Sequence, residues 1–272
     1  MSWLTKAQEK KAKRPPLQMW YGVPGCGKTS LASCFPKAII IHGPGETGVL
    51  DFISAGQVGE DFPTVQANSW TELIEVTQGL GTEDHPYKWA FFDTASEMQR
   101  LLFEHVLATE FHGNAGTGKG GFQSFAAGPQ ACVPHWEKWL TLMEPMRDKG
   151  VSPVILAHAK VVTCNDPERE AYDQWRPDLY ETKNISLLSP TIKMVSELGF
   201  INYETFIAES AEDRKVRGGA RAAGGSSRNI HFQRSAAYEA KSKRLGTVSL
   251  GDSPEEGCKN MLAAWKQSKE KV

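Results

Sequence analysis

Eight consecutive residues, Gly22, Val23, Pro24, Gly25, Cys26, Gly27, Lys28 and Thr29, carry the GxxxxGK[ST] spacing of a polyphosphate cradle, the Walker A pattern. The three glycines let the main chain curl so that its N–H groups converge on phosphate oxygens, and the segment opening at Ser30 adds the positive end of a helix. Lys28 is expected to neutralise the β- and γ-phosphates, and the Thr29 hydroxyl to ligate Mg2+. Asp93 ends the apolar run WAFFD and supplies the acid that such an ion needs, in the manner of a Walker B strand. Hydrolysis further requires a group that orients or deprotonates water. Thr94 stands where a glutamate often follows that aspartate, so the base is sought in Glu46 of HGPGETG or in Glu97, one turn into the next segment. His158 closes another apolar run, where its ring can bond a γ-phosphate and sense its loss.

These groups need a scaffold that brings several strand ends to one edge. Leu17 to Tyr21 reads as the strand entering the cradle and Ser30 to Phe35 as the helix leaving it. Further strands are expected at 38–42, 63–66, 89–93 and 154–157, with helices at 70–78, 96–110 and 136–149. Such alternation predicts an α/β domain with a mainly parallel central sheet flanked by helices on both faces. Beyond a polar stretch to about residue 180, a helix at 181–189, strands between 194 and 208, and paired strands at 230–234 and 237–241 are expected. A terminal helix over 254–266 follows from Ser253 as cap, Pro254 in the first turn, and Met261, Leu262 and Trp265 on one face. The chain thus divides into a basic N-terminal arm (1–16), one domain (17–250) with flexible loops at 111–128 and 209–228, and a C-terminal helix (251–272).

Bulk properties narrow the partners. A formal net charge of -1 over 272 residues excludes a polycation that coats nucleic acid indiscriminately, so any polyanion site must be local. Five cysteines without CxxC spacing predict a reduced, cytoplasmic protein rather than a disulfide or zinc scaffold, and no apolar run reaches the length of a membrane span. GNAGTGKGG at 113–121 imitates a second cradle but puts Gly120 where the metal-binding hydroxyl belongs. It reads better as a loop offering Lys119 to phosphate and Phe122 or Phe125 to a stacked base. Residues 214–228, RKVRGGARAAGGSSR, carry five positive and no negative side chains, which suits a polyanion-binding arm. In AKSKR, Lys241 and Lys243 alternate onto one side of a strand, where two ammonium groups await an anion such as a neighbouring subunit's γ-phosphate.

Taken together, GVPGCGKTS, GETG, WAFFDTASEM, GTGKGGF, ILAHAK, YDQWRPDL and AKSKR, in this order over residues 17–250, resemble the core-only RecA-like ATP-binding proteins of phages and prophages. The resemblance implies a RecA-like P-loop NTPase fold with C-terminal antiparallel strands, and MgATP held by residues 22–30 and Asp93. It also implies Glu46 as catalytic glutamate, His158 as γ-phosphate sensor, and Lys241 with Lys243 as inter-subunit cations. Its further implications are self-association as a ring or filament, a single-stranded DNA partner met by loops 111–128 and 159–180, and a role in recombination or annealing inside a phage-infected cell. An ATP-gated switch or scaffold with a protein partner is the competing reading.

Overall fold

The computed structural model describes residues 14–165, 170–208 and 221–270. Most of the expected basic arm, and residues 209–220 of the second expected loop, lie outside these. Four strands, β1 (Gln18–Gly22), β2 (Ala38–His42), β4 (Trp89–Asp93) and the first half of β5 (Ser152–Cys164), form a parallel core in the order β2-β4-β5-β1. β3 (Thr64–Gln66) extends it beside β2, and β7 (Glu197–Ala208) runs parallel to β1 on the other side. β8 (Arg221–His231) and β9 (Thr247–Gly251) then add antiparallel strands, as expected for the C-terminal part.

The core strands are apolar at nearly every position because both faces are covered. Their side chains alternate with period two between two cores. Met19, Tyr21, Ile39, Ile41, Phe92 and Ile155 point into one, and Trp20, Ile40, Phe91 and Leu156 into the other. The first core is closed by α3 (Trp70–Thr82), α4 (Ala95–Thr109) and α5 (Ala127–Asp148); the second by α1 (Lys28–Ser33), α2 (Gly48–Ser54) and α7 (Pro254–Glu270). The Ser253 hydroxyl accepts from the Glu256 N–H at 3.2 Å, so α7 starts where its cap predicts.

Several elements depart from the sequence reading. α5 begins at Ala127, nine residues before the expected Trp136, and runs through Pro134 and Pro145. Burial of Trp136, Trp139, Leu140 and Met143 outweighs the missing N–H donors. β5 does not end at His158; it continues to Cys164 and folds back against β6 (Tyr172–Pro177) as an antiparallel hairpin, replacing the expected irregular stretch. The helix expected at 181–189 is α6 (Leu188–Met194), preceded by a turn closed by the Glu181–Ser186 bridge. Residues 221–228, expected within a flexible loop, form most of β8. The supposed strand 237–241 makes only isolated bridges, Tyr238 to Trp175 and Lys241 to Leu198, while β8 pairs instead with β7 and β9.

Glu197 at the start of β7 is 1% exposed and accepts hydrogen bonds from Arg244 Nη2 (2.6 Å) and Trp265 Nε1 (3.0 Å), tying α7 and the 240s segment to the sheet. Arg244→Ala strands a carboxylate in the core and is expected to lower unfolding stability by about 2–4 kcal/mol, less than for a wholly buried pair because Arg244 keeps some solvent contact. Adding Glu197→Gln is expected to restore most of that loss in urea denaturation; equal losses in the single and double variants would contradict this role.

Candidate functional site

The parallel register sets Gly22 beside His158 and His42 beside Asp93, so the ends of β1, β2, β4 and the bend point of β5 share one edge of the sheet. A cavity of ≈ 500 Å³ opens there, lined among others by Gly25, Lys28, Thr29, Glu46, Asp93 and His158. Residues as distant in sequence as Pro24 and Arg228 therefore meet at one place.

The cradle has the geometry that its glycines permit. Gly25 and Gly27 adopt φ of +77° and +83°, a region that side-chain-bearing residues rarely enter. Lys28 is 6% exposed, and its Nζ donates to the carbonyl oxygens of Gly22 (3.0 Å) and Val23 (3.1 Å), with Cys26 Sγ at 3.8 Å. Ser30 Oγ donates to the Gly27 carbonyl at 3.1 Å and, with Pro24, completes the rim. Thr29 Oγ1 donates to Asp93 Oδ2 at 2.6 Å. The other carboxylate oxygen, Asp93 Oδ1, is buried without a hydrogen-bond partner, and burial pushes the Asp93 pKa up. A buried acid with an unpaired oxygen, next to a hydroxyl, fits a divalent cation. Among the described residues no cluster of three or more His, Cys, Asp or Glu forms a metal cage, so an ion here would draw its remaining ligands from phosphate and water, as Mg2+ does.

Glu46 and Glu97 separate by environment. Glu46 Oε1 accepts from Thr94 Oγ1 (2.7 Å) and lies 3.3 Å from His158 Nε2. Burial alone would raise its pKa, but the hydrogen bonds from His158 and Thr94, then the His158 and Lys28 charges, outweigh burial and hold it below the ordinary range. It faces the cavity as a carboxylate. Glu97 is instead committed to Arg100, whose Nε and Nη2 donate at 2.9 and 2.8 Å, and to the Gly45 N–H at 2.8 Å; the Arg100 bonds lead in lowering its pKa. A β-carbon at Gly43 or Gly45 would collide with the Glu97 side chain, which explains the first two glycines of HGPGETG: they let this turn close over Glu97 beside Glu46.

The structure brings neither Lys241 nor Lys243 to this cavity. Lys241 bridges to Leu198, near the opposite end of the strands, and its Nζ donates to the carbonyls of Ile192 (2.8 Å), Lys193 (3.4 Å) and Val195 (2.8 Å) at the end of α6. Phe122 is 9% exposed and packs on Phe103 and Phe111, so it anchors its loop and is not free to stack on a base, whereas Phe125 is fully exposed. Sequence reasoning missed Thr94, Tyr203 and Arg228. The last was legible in principle: stepping back by two from the buried Ile230 and Phe232 makes Arg228 inward-facing, though its glycine-rich surroundings read as an arm.

Among solved structures, the flagellar accessory protein FlaH from Methanocaldococcus jannaschii is similar, with a TM-score of 0.41 and 10% identity over 94% of this chain and 93% of that one. No curated protein matches the sequence. The model of a family described as an AAA domain matches residues 15–244, which include every cavity residue named above. With a phosphate-loop edge of this geometry and a match across most of its length, the chain belongs to that AAA domain family and carries an AAA-type P-loop ATPase domain.

Proposed function

We propose that the protein binds ATP with Mg2+, hydrolyses it, and couples the cycle to single-stranded DNA in a phage-type recombination or annealing reaction. The observation that carries the ATPase part is the convergence of Lys28, the Thr29–Asp93 pair at 2.6 Å, and Glu46 on one cavity. Thr29 Oγ1 and Asp93 would hold Mg2+, which when bound supplies charge against the β- and γ-phosphate oxygens. Lys28 neutralises the same oxygens from the buried side. Glu46, kept ionised by Thr94 and His158, orients the attacking water and takes its proton as the new oxygen–phosphorus bond forms and the bond to the leaving ADP oxygen breaks. His158, 3.3 Å from Glu46, would bond the γ-phosphate and sits where β5 leaves the parallel sheet for the β5–β6 hairpin, so loss of phosphate is felt there.

The DNA reading draws on a different surface. The glycine loop is folded on itself, with Phe122 N–H donating to the Asn114 carbonyl (2.8 Å) and Gln123 N–H to that of Gly116 (3.2 Å). Phe125 stands fully exposed beyond this ordered turn with φ of +47°, a position that suits a base-stacking platform. In an assembled ring or filament Lys243 is the better placed of the two lysines to reach a neighbour's nucleotide, since Lys241 already caps α6. The same exposed aromatic also suits a protein partner, which is the competing reading.

Lys28→Ala is expected to abolish turnover. Glu46→Gln is expected to cut it about 10²- to 10⁴-fold while ATP still binds, and Glu97→Gln to act mainly on stability. A turnover assay beside fluorescent-nucleotide titration checks this, and full activity of Glu46→Gln would overturn the assignment. Adding single-stranded DNA is expected to raise turnover, with binding that weakens steeply as salt rises. Phe125→Ala is expected to weaken DNA binding by about 1–3 kcal/mol in an anisotropy titration. Turnover indifferent to DNA, with nucleotide-dependent capture of a protein, would favour the switch reading instead.

A further inference from the structure

β8 delivers a cation to the phosphate loop. Arg228 is 7% exposed, lines the cavity, and lies so close over Gly27 that a β-carbon there would strike its guanidinium. Its one hydrogen bond to the described residues is from Nη1 to the Cys26 carbonyl, at 3.3 Å, and none of their carboxylates lies within ion-pair range. The antiparallel register pairs Arg228 with Tyr203 of β7, and paired residues present their side chains on the same face. Tyr203 Oη donates to the Gly25 carbonyl at 3.1 Å, so two successive carbonyls of the cradle are both taken up by the β7–β8 ladder.

An arginine stays charged at any accessible pH, and burying it without a counter-charge is costly. One long bond to a neutral carbonyl does not offset that cost. The guanidinium fork matches a pair of phosphate oxygens, and the nearest place for such oxygens is the cradle that Arg228 overhangs. We infer that Arg228 is a phosphate-binding residue supplied by the same chain, and that the anion which compensates its buried charge is the polyphosphate of the bound nucleotide. This inference rests on the ATP-binding reading above and adds to it a second cation at the cradle, carried by β8. Any subunit partner would then complement a site that already holds two cations of its own.

The test compares native chain, Arg228→Ala, Arg228→Lys and Lys28→Ala by titration with a fluorescent ATP analogue in Mg2+, alongside thermal unfolding with and without MgATP. Arg228→Ala is expected to bind the analogue about 10- to 100-fold more weakly, the range for lost charged hydrogen bonds, and Arg228→Lys to lie between it and the native chain. Without nucleotide, Arg228→Ala is expected to unfold no earlier than the native chain, because it removes an uncompensated charge; with MgATP it loses most of the native upward shift. Native affinity in Arg228→Ala, with Lys28→Ala impaired, would overturn the inference and leave Arg228 as a prop for Cys26. Failure of the native chain to bind ATP would remove the underlying reading and this inference together. Should Arg228→Ala fail to fold, Arg228→Lys decides the matter, since it keeps the charge and loses the fork: an unchanged affinity there counts against the inference.

Discussion

The whole site depends on Thr29 and Asp93 meeting across the sheet. Their contact joins the first turn of α1 to the end of β4, two positions 64 residues apart that only the parallel order β2-β4-β5-β1 brings together. Register enforces it. Side chains alternate between two cores along every central strand, so a one-residue slip of β4 would turn Phe91 and Phe92 each into the wrong core and carry Asp93 away from the cradle. Packing on both faces is thus what holds a costly buried acid in place.

Around that contact the charges are graded by burial and partners. Asp93 is pushed up by burial, a cost that a cation at its unpaired oxygen relieves, whereas Glu46 is held down by His158 and Thr94 and faces the cavity ionised. Glu97 supports this arrangement from behind: bound to Arg100, it pins the Gly45 N–H, and the glycine turn folded over it fixes the start of the segment bearing Glu46. Two acids that sequence left as alternatives therefore have different work, one towards the cavity and one towards the scaffold.

Local signals were the readable ones. The GVPGCGKT spacing, the WAFFD run and the Ser253 cap each act within a few residues, and each corresponds to the expected cradle, strand end and helix start. What escaped was set by distant packing. Phe122 beside an exposed-looking glycine run is buried because Phe103 and Phe111 lie across from it, and β5 runs on past His158 because β6 pairs with it from Ala159 to Cys164. Lys241 looks like a spare cation until the end of α6 supplies three carbonyls. Arg228 was hidden by composition, since strand pairing with β7 and β9 overrides the weak preference of a Gly/Ser-rich segment.

Titration calorimetry of ATP into native chain and Asp93→Asn, each with Mg2+ and with a chelator, tests the central contact most directly. The account predicts that Mg2+ tightens ATP binding to the native chain and that this gain is largely lost in Asp93→Asn, while metal-free affinity changes little. An identical Mg2+ dependence in the two chains would contradict it.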